Sequence, residues 1–189
     1  MRKTIFIILG IFICTSFSGC HFFWKRYHNK KYGFSMAVPR WWEYKPGDDN
    51  AIAVMYLSPV KGKDDRFREN ITVTSADLLL PEVVEMFWEN NKKAVMMTLP
   101  GYKSQLSEGE YFSGMNKGRY LMFKVEDDKI ALRVKTVVWI KGTVVYSATC
   151  TAEEKDYAKY SYYFEKMFAS FRFNPPKPKI RLKKQAVSK

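Results

Sequence analysis

The sequence predicts an α+β domain in which an antiparallel β-sheet is flanked by helices. Two patterns carry this. Between residues 118 and 151, three alternating segments are joined by short turn signals, as in a strand meander. Before and after it lie two stretches with apolar residues at helical spacing, each needing a sheet to cover. A hydrophobic content of 47% supplies a core for one domain and argues against disorder.

The first nineteen residues stand apart from that domain. A basic start (Arg2, Lys3) precedes an apolar run from Ile5 to Cys14, which is shorter than the roughly 20 residues a spanning helix needs. This is the layout of a signal peptide. It ends in Ser18-Gly19-Cys20, which resembles the lipobox of bacterial lipoproteins, although Phe17 stands where leucine is usual. The small side chains suit a narrow cleavage site, and Cys20 is the candidate lipid attachment. Cys14 is a poor rival because the bulky Ile13 precedes it. Two or more acyl chains make a stable membrane anchor where one does not. Cleavage and acylation leave Cys150 as the sole free thiol, so no disulfide framework forms within the chain. Cys150 closes an alternating strand and is expected as a small buried hydrophobe.

Residues 20–30 are expected as a lipidated tether. Phe22, Phe23 and Trp24 beside Lys25, Arg26, Lys30 and Lys31 suit a membrane interface, the alternative being aromatics that fold back onto the domain.

In the body of the chain, residues 34–38 and 41–45 read as short extended pieces separated by Pro39. Residues 51–58 and 69–78 follow as strands, with a charged loop between them, and 102–113 is a further strand candidate. The first helix runs from about Pro81 to Thr98. Pro81 suits a first turn, Glu82 and Glu85 near the start and Lys92 and Lys93 later complement the dipole, and Pro100-Gly101 stops it. In the meander, Leu132, Val134, Val138 and Ile140 share one face, with Arg133, Lys135 and Lys141 on the other. One strongly apolar sheet face is therefore expected. Asp127-Asp128 and Lys141-Gly142 have hairpin-turn residue types. Thr151-Ala152-Glu153-Glu154 fits a capping box opening the second helix, and Tyr157, Tyr160, Phe164, Met167, Phe168 and Phe171 form its apolar stripe.

The stretch YGFSMAVPRWW (32–42), with its Tyr-Gly-Phe-Ser start and P-x-x-W, resembles the entry strand of the PsbP-like superfamily. That group includes the photosystem II protein PsbP, DcrB-type envelope lipoproteins and a nuclear-transport factor. The later order of strands, helix, meander and C-terminal helix is similar too. The resemblance implies a PsbP-like α/β/α sandwich and a non-enzymatic role assisting a larger protein assembly. Nothing here matches the metal or chloride sites proposed for photosynthetic members, so no cofactor is implied. The expected organisation is a lipoprotein signal peptide (1–19), a lipidated tether (20–30), a PsbP-like domain (31–173) and a basic tail (174–189).

Chemistry-bearing patterns are sparse. The two histidines, His21 and His28, lie in the expected tether, so a Ser–His or Cys–His pair on the domain is unavailable. The aspartate pairs 48–49, 64–65 and 127–128 sit in apparent turns, where solvated carboxylates are more common than calcium ligands. There is no P-loop, C-x-x-C or H-E-x-x-H. The chain is expected not to be an enzyme and to hold no metal or cofactor.

The net charge of +13 has a telling distribution: all 19 acidic residues lie between residues 27 and 174. The excess sits in the flanks, notably Lys177, Lys179, Arg181, Lys183 and Lys184 of the tail. That favours an anionic lipid, cell-wall polymer or acidic partner over nucleic acid, with a solubilising tail as the alternative.

Trp41, Trp42 and Tyr44 are the candidate partner or ligand surface, lining a pocket between sheet and helix. The family's P-x-x-W places its tryptophan at Trp42, which is therefore expected as the more exposed of the pair. The expected role is an envelope lipoprotein acting as an accessory or binding module for a membrane-associated assembly, with a protein partner and a lipid anchor. The alternative is a carrier or sensor of a small apolar ligand. His21 after Cys20, in place of Asp, points to the outer membrane if there is one.

Overall fold

A computed structural model describes residues 23–48, 52–63, 65–78 and 84–173. Strands β1 (Trp24–Asn29), β2 (Phe34–Pro39), β3 (Glu43–Pro46), β4 (Ile52–Leu57) and β5 (Asn70–Asp77) precede helix α1 (Val84–Thr98). Then come β6 (Tyr102–Ser113), β7 (Asn116–Asp127), β8 (Ile130–Lys141) and β9 (Val144–Glu153), helix α2 (Tyr157–Ala169) and β10 (Arg172–Phe173). A seven-stranded sheet has the order β3-β4-β5-β9-β8-β7-β6, and β2 lies between β1 and β10 in a three-stranded sheet. Every pairing is antiparallel. The α+β class follows.

The meander has the form the alternation predicts. Asp127 faces Ile130 across a two-residue turn in which Asp128 and Lys129 both take positive φ, 44° and 67°. That is the geometry of a primed hairpin turn, which matches strand twist. Gly142 (φ 65°) opens the next hairpin, between Lys141 and Val144. Gly118 is needed for another reason: a β-carbon there would lie 2.4 Å from the Val138 carbonyl oxygen and 2.6 Å from Trp139 Cδ1.

The sheet is covered on both faces, as an α/β/α sandwich requires, and the face expected to be polar from Arg133, Lys135 and Lys141 is apolar as well. Leu121, Phe123, Leu132, Val134 and Val138 pack with Trp88 of α1. Val137, Trp139, Tyr146, Ala148 and Cys150 point the other way, into a larger core shared with Tyr160, Phe164, Met167 and Phe168 of α2 and with Phe34, Met36 and Val38 of β2. Lys135, expected on a polar face, is buried because α2 lies over it. Its ammonium sits 5.0 and 4.8 Å from the ring centroids of Tyr111 and Tyr120 and is paired to Glu165 at 2.5 Å. The apolar body of a lysine tolerates this placement when its head keeps a partner.

Three further expectations change. Residues 24–29, assigned to a tether, form β1 and pair along the whole of β2, from Trp24↔Pro39 to Asn29↔Phe34. Trp24 leans on Tyr163, and Tyr27 on Phe34, Tyr44 and Tyr56, so these rings fold onto the domain. The capping box at 151–154 does not cap a helix, because Thr151 and Glu153 pair with Val134 and Leu132 in β9. Helix α2 begins at Tyr157, and Asp156 before it makes no side-chain cap hydrogen bond. Residues 41–42 are turn rather than strand, and the extended backbone resumes at Glu43.

Pro81, Glu82, the signal peptide and the basic tail lie outside the described residues. Among those described, no helix is long and apolar enough to cross a membrane.

Candidate functional site

The tryptophan pair sits on a corner. Pro39 ends β2, and the Trp42 N–H donates to the Pro39 carbonyl at 3.2 Å, which bends the chain beneath α2. Trp42 is 2% exposed and meets Tyr160 and Phe164 edge-on at 6.2 and 6.0 Å. Trp41 is 43% exposed, its ring edge-on to Phe23 and Tyr163, each at 6.1 Å. The expectation that Trp42 would be the more exposed is thus reversed. The turn, not strand alternation, sets which ring faces inward. Tyr44 is exposed on a different cluster, against Tyr27 and Tyr56 at 5.9 and 5.6 Å. The structure therefore brings Trp41 and Trp42 to one site and leaves Tyr44 at another.

Trp41 and Trp42 line a shallow hollow of about 300 Å³ with Pro59, Lys61, Lys159, Tyr160 and Tyr163. Behind it is a charged network with no counterpart in the sequence reading. The Glu69 carboxylate is fully buried and accepts from Ser58 Oγ (2.9 Å) and Lys61 Nζ (2.5 Å). Lys61 also donates to Asp156 Oδ2 at 2.7 Å and lies 5.2 Å from the Tyr160 centroid. Burial alone would lower the Lys61 pKa, but its hydrogen bonds to Asp156 and Glu69 outweigh it and hold the ammonium above its ordinary range. The same contact holds the Asp156 carboxyl below its ordinary value. The network ties the β4–β5 loop to the start of α2 and keeps each charge paired. Only a 95-residue separation in sequence hides the Lys61–Asp156 pair.

A second cavity, of about 540 Å³, lies between α1 and the sheet. Val95 and Leu99 of the helix side face Phe123, Val125, Leu132 and Val134 across it, and Glu126 and Asp127 stand at its edge. Its floor carries Thr136 and Thr149, whose hydroxyls bond to each other. The pairings Thr72↔Thr149 and Thr74↔Ser147 put more hydroxyls on the same sheet face. The face thus grades from apolar on β7 and β8 to hydroxylic on β9 and β5, and α1 packs on the apolar part. A pocket between sheet and helix therefore exists, but Trp41, Trp42 and Tyr44 do not line it.

The remaining candidates are structural. Cys150 is fully buried, and burial pushes its thiol well above the ordinary range, as expected of a packing residue. Asp48 and Asp65 accept backbone N–H bonds from Ile52 (3.3 Å) and Lys61 (2.8 Å), closing loops. Among the described residues no group of His, Cys, Asp or Glu is arranged to hold a metal. Cys20, Lys177, Lys179, Arg181, Lys183 and Lys184 lie outside the described residues.

No protein-family model matches the chain, and no curated protein matches it in sequence. Solved structures do match it in fold. LpqN of Mycobacterium tuberculosis, described as involved in cell envelope biogenesis, superposes with a TM-score of 0.61 at 14% identity, over 80% of this chain and 91% of that one. PA94 of Pseudomonas aeruginosa, described as a putative regulator of unknown function, gives 0.58 at 12% identity over 81% and 99%. The cyanobacterial PsbP of Synechocystis gives 0.56 at 13% identity over 79% and 92%. The chain has the PsbP-like fold.

Proposed function

We propose that this chain is a bacterial envelope lipoprotein that serves as a non-enzymatic accessory or binding module for a membrane-associated protein assembly. One observation carries the reading: Cys20 stands only four residues before Trp24, the first residue of β1. Acyl chains on that cysteine would hold the folded domain directly against a bilayer with no long linker between them. The fold agrees, since LpqN, described as involved in cell envelope biogenesis, shares it. Lys61, Glu69 and Asp156 behind the tryptophan corner are paired with one another, as suits a binding surface better than proton transfer.

The test combines metabolic labelling with an alkyne fatty acid and crosslinking in intact cells. Label incorporated in wild type and lost in Cys20→Ser supports the anchor. A partner captured by wild type and lost in Cys20→Ser supports the module. An unlabelled chain, or crosslinking that never enriches a partner, would defeat the reading.

The cavity under α1 favours a second reading, a carrier of a small apolar ligand. About 540 Å³ of space with aliphatic walls is within the ordinary size of ligand pockets, roughly 300–1,000 Å³. Native mass spectrometry of the cell-purified protein decides: an adduct lost in Val134→Trp supports it, and a clean apo mass in every preparation counts against it.

A further inference from the structure

We propose that Phe23, Trp41, Tyr162 and Tyr163, with Lys159 and Lys166, form a docking face that seats in the headgroup layer of an anionic bilayer. This deepens the envelope reading by naming the side of the domain that meets the membrane.

Lys159, Tyr162, Tyr163 and Lys166 follow the i, i+3, i+4, i+7 spacing and so share one stripe of α2. This stripe is distinct from the buried one made by Tyr157, Tyr160, Phe164, Met167 and Phe168. Tyr162 is 61% exposed and Phe23 56%. The rings are contiguous: Phe23 meets Trp41, Trp41 meets Tyr163, and Tyr163 meets Tyr162 at 5.6 Å. Lys166 Nζ lies 4.4 Å from the Trp24 centroid and 5.8 Å from that of Tyr162, so its charge rides on the aromatic surface.

Charge decides between a bilayer and a protein partner. Several lysines elsewhere on the domain are paired, as Lys61, Lys92, Lys117, Lys124 and Lys135 are. Lys159 and Lys166 hold no ion pair with a described residue, and the nearby Asp156 is already bonded to Lys61. Protein interfaces are depleted in lysine, whereas membrane interfaces combine Trp and Tyr rings with lysines that reach to the phosphates. Chain length points the same way. Phe23 is three residues from Cys20, so the two lie within about 10 Å along the chain.

The chain from Cys20 to Lys189 is coupled through the Cys20 thiol to vesicles of phosphatidylcholine with one quarter phosphatidylglycerol and a trace of maleimide phospholipid. Buried Cys150 does not compete for the maleimide. Brominated acyl chains then report which tryptophans approach the bilayer. Wild type should be quenched, and in a Trp24→Phe background, which removes the half-buried ring beside the face, Trp41→Phe should lose most of the remaining quenching, since Trp42, Trp88 and Trp139 are buried. In an untethered Cys20→Ser chain, Lys159→Gln with Lys166→Gln should weaken vesicle binding roughly 25-fold at moderate salt. Unquenched wild type, or quenching that Trp41→Phe leaves intact, overturns the proposal. So does binding that survives the double lysine change and disappears only when Lys177, Lys179, Arg181, Lys183 and Lys184 are neutralised. Loss of a crosslinked protein partner in Trp41→Ala with vesicle contact unchanged would assign the face to that protein instead. Because coupling is chemical, a chain that cells never acylate would defeat the anchor reading and leave this result standing.

Discussion

The reversed burial of the tryptophan pair makes a sharp prediction for two adjacent alanine substitutions. A fully buried tryptophan removes about 150–250 Å² from water, which at roughly 25 cal/mol per Å² corresponds to about 4–6 kcal/mol. Trp42, 2% exposed between Tyr160 and Phe164, should yield most of that, and truncation also leaves a cavity. Measured tryptophan and phenylalanine truncations in cores cost about 3–5 kcal/mol, which is the value expected for Trp42→Ala. Trp41, 43% exposed, has lost much less to burial, and its removal opens onto solvent instead of leaving a void. Burial of a little over half of its surface gives about 2–3 kcal/mol for Trp41→Ala. Urea unfolding followed by far-ultraviolet circular dichroism measures both, with the slope of the transition unchanged in each. A difference between the two variants of less than about 1 kcal/mol would refute the argument that the turn after Pro39, and not strand alternation, decides which ring is core.

Other residues make further tests. Hydrogen bonding to Arg133, then to Lys124, holds the Glu154 carboxyl below its ordinary 4.5. The stability it contributes is therefore present above pH 4.5 and lost as pH falls through the folded pKa. The melting temperatures of wild type and Glu154→Gln should differ at pH 7 and converge as pH falls from 4.5 through the folded pKa, and a constant gap would count against the pairing. Lys61→Met leaves the buried Glu69 carboxylate without its cation and should cost about 3 kcal/mol in urea unfolding, with Lys61→Met/Glu69→Gln recovering more than half. Gly118→Ala forces β7 and β8 apart at Val138 and Trp139 and should cost about 3 kcal/mol or prevent folding, read from urea midpoints or soluble yield.

Which features the sequence discloses depends on how local their cause is. The meander is legible because a period of two and short hairpin turns are each set within a few residues, and β7, β8 and β9 lie where the pattern puts them. Strand β1 is not, since Trp24-Lys25-Arg26-Tyr27 has the composition of an interfacial segment and becomes a strand only through pairing with β2. The residues of a capping box are present at 151–154, yet the β8–β9 ladder extends to Leu132↔Glu153 and outcompetes the cap. This is tertiary pairing overriding local preference. In the candidate site, the Trp41–Trp42 corner is visible in sequence, but its orientation depends on helix α2, more than a hundred residues later. The Glu69–Lys61–Asp156 network and the cavity under α1 give no local signal, because each is assembled from elements that meet only in the folded chain.

The small sheet also constrains what the basic tail can do. Strand β1 pairs along the whole of β2 and β10 only with its first two residues, so Trp24 faces Pro39 at one end of β2 and Phe173 faces Phe34 at the other. The five-residue offset along β2 is about 17 Å, so the tail leaves the domain roughly that far from the end that Phe23 and Trp41 occupy. Residues 174–189 could span at most about 53–58 Å if fully extended. Their cations are therefore within reach of any bilayer that the aromatic face touches, and the two contributions should be separable. Truncation after Phe173 should weaken vesicle binding most at low salt, where charge attraction reaches furthest, and leave bromolipid quenching of Trp41 in the tethered protein unchanged. If truncation abolished the quenching, the tail would be setting the orientation and the aromatic face would be a bystander. If it changed neither readout, the tail's charge would have no part in membrane contact.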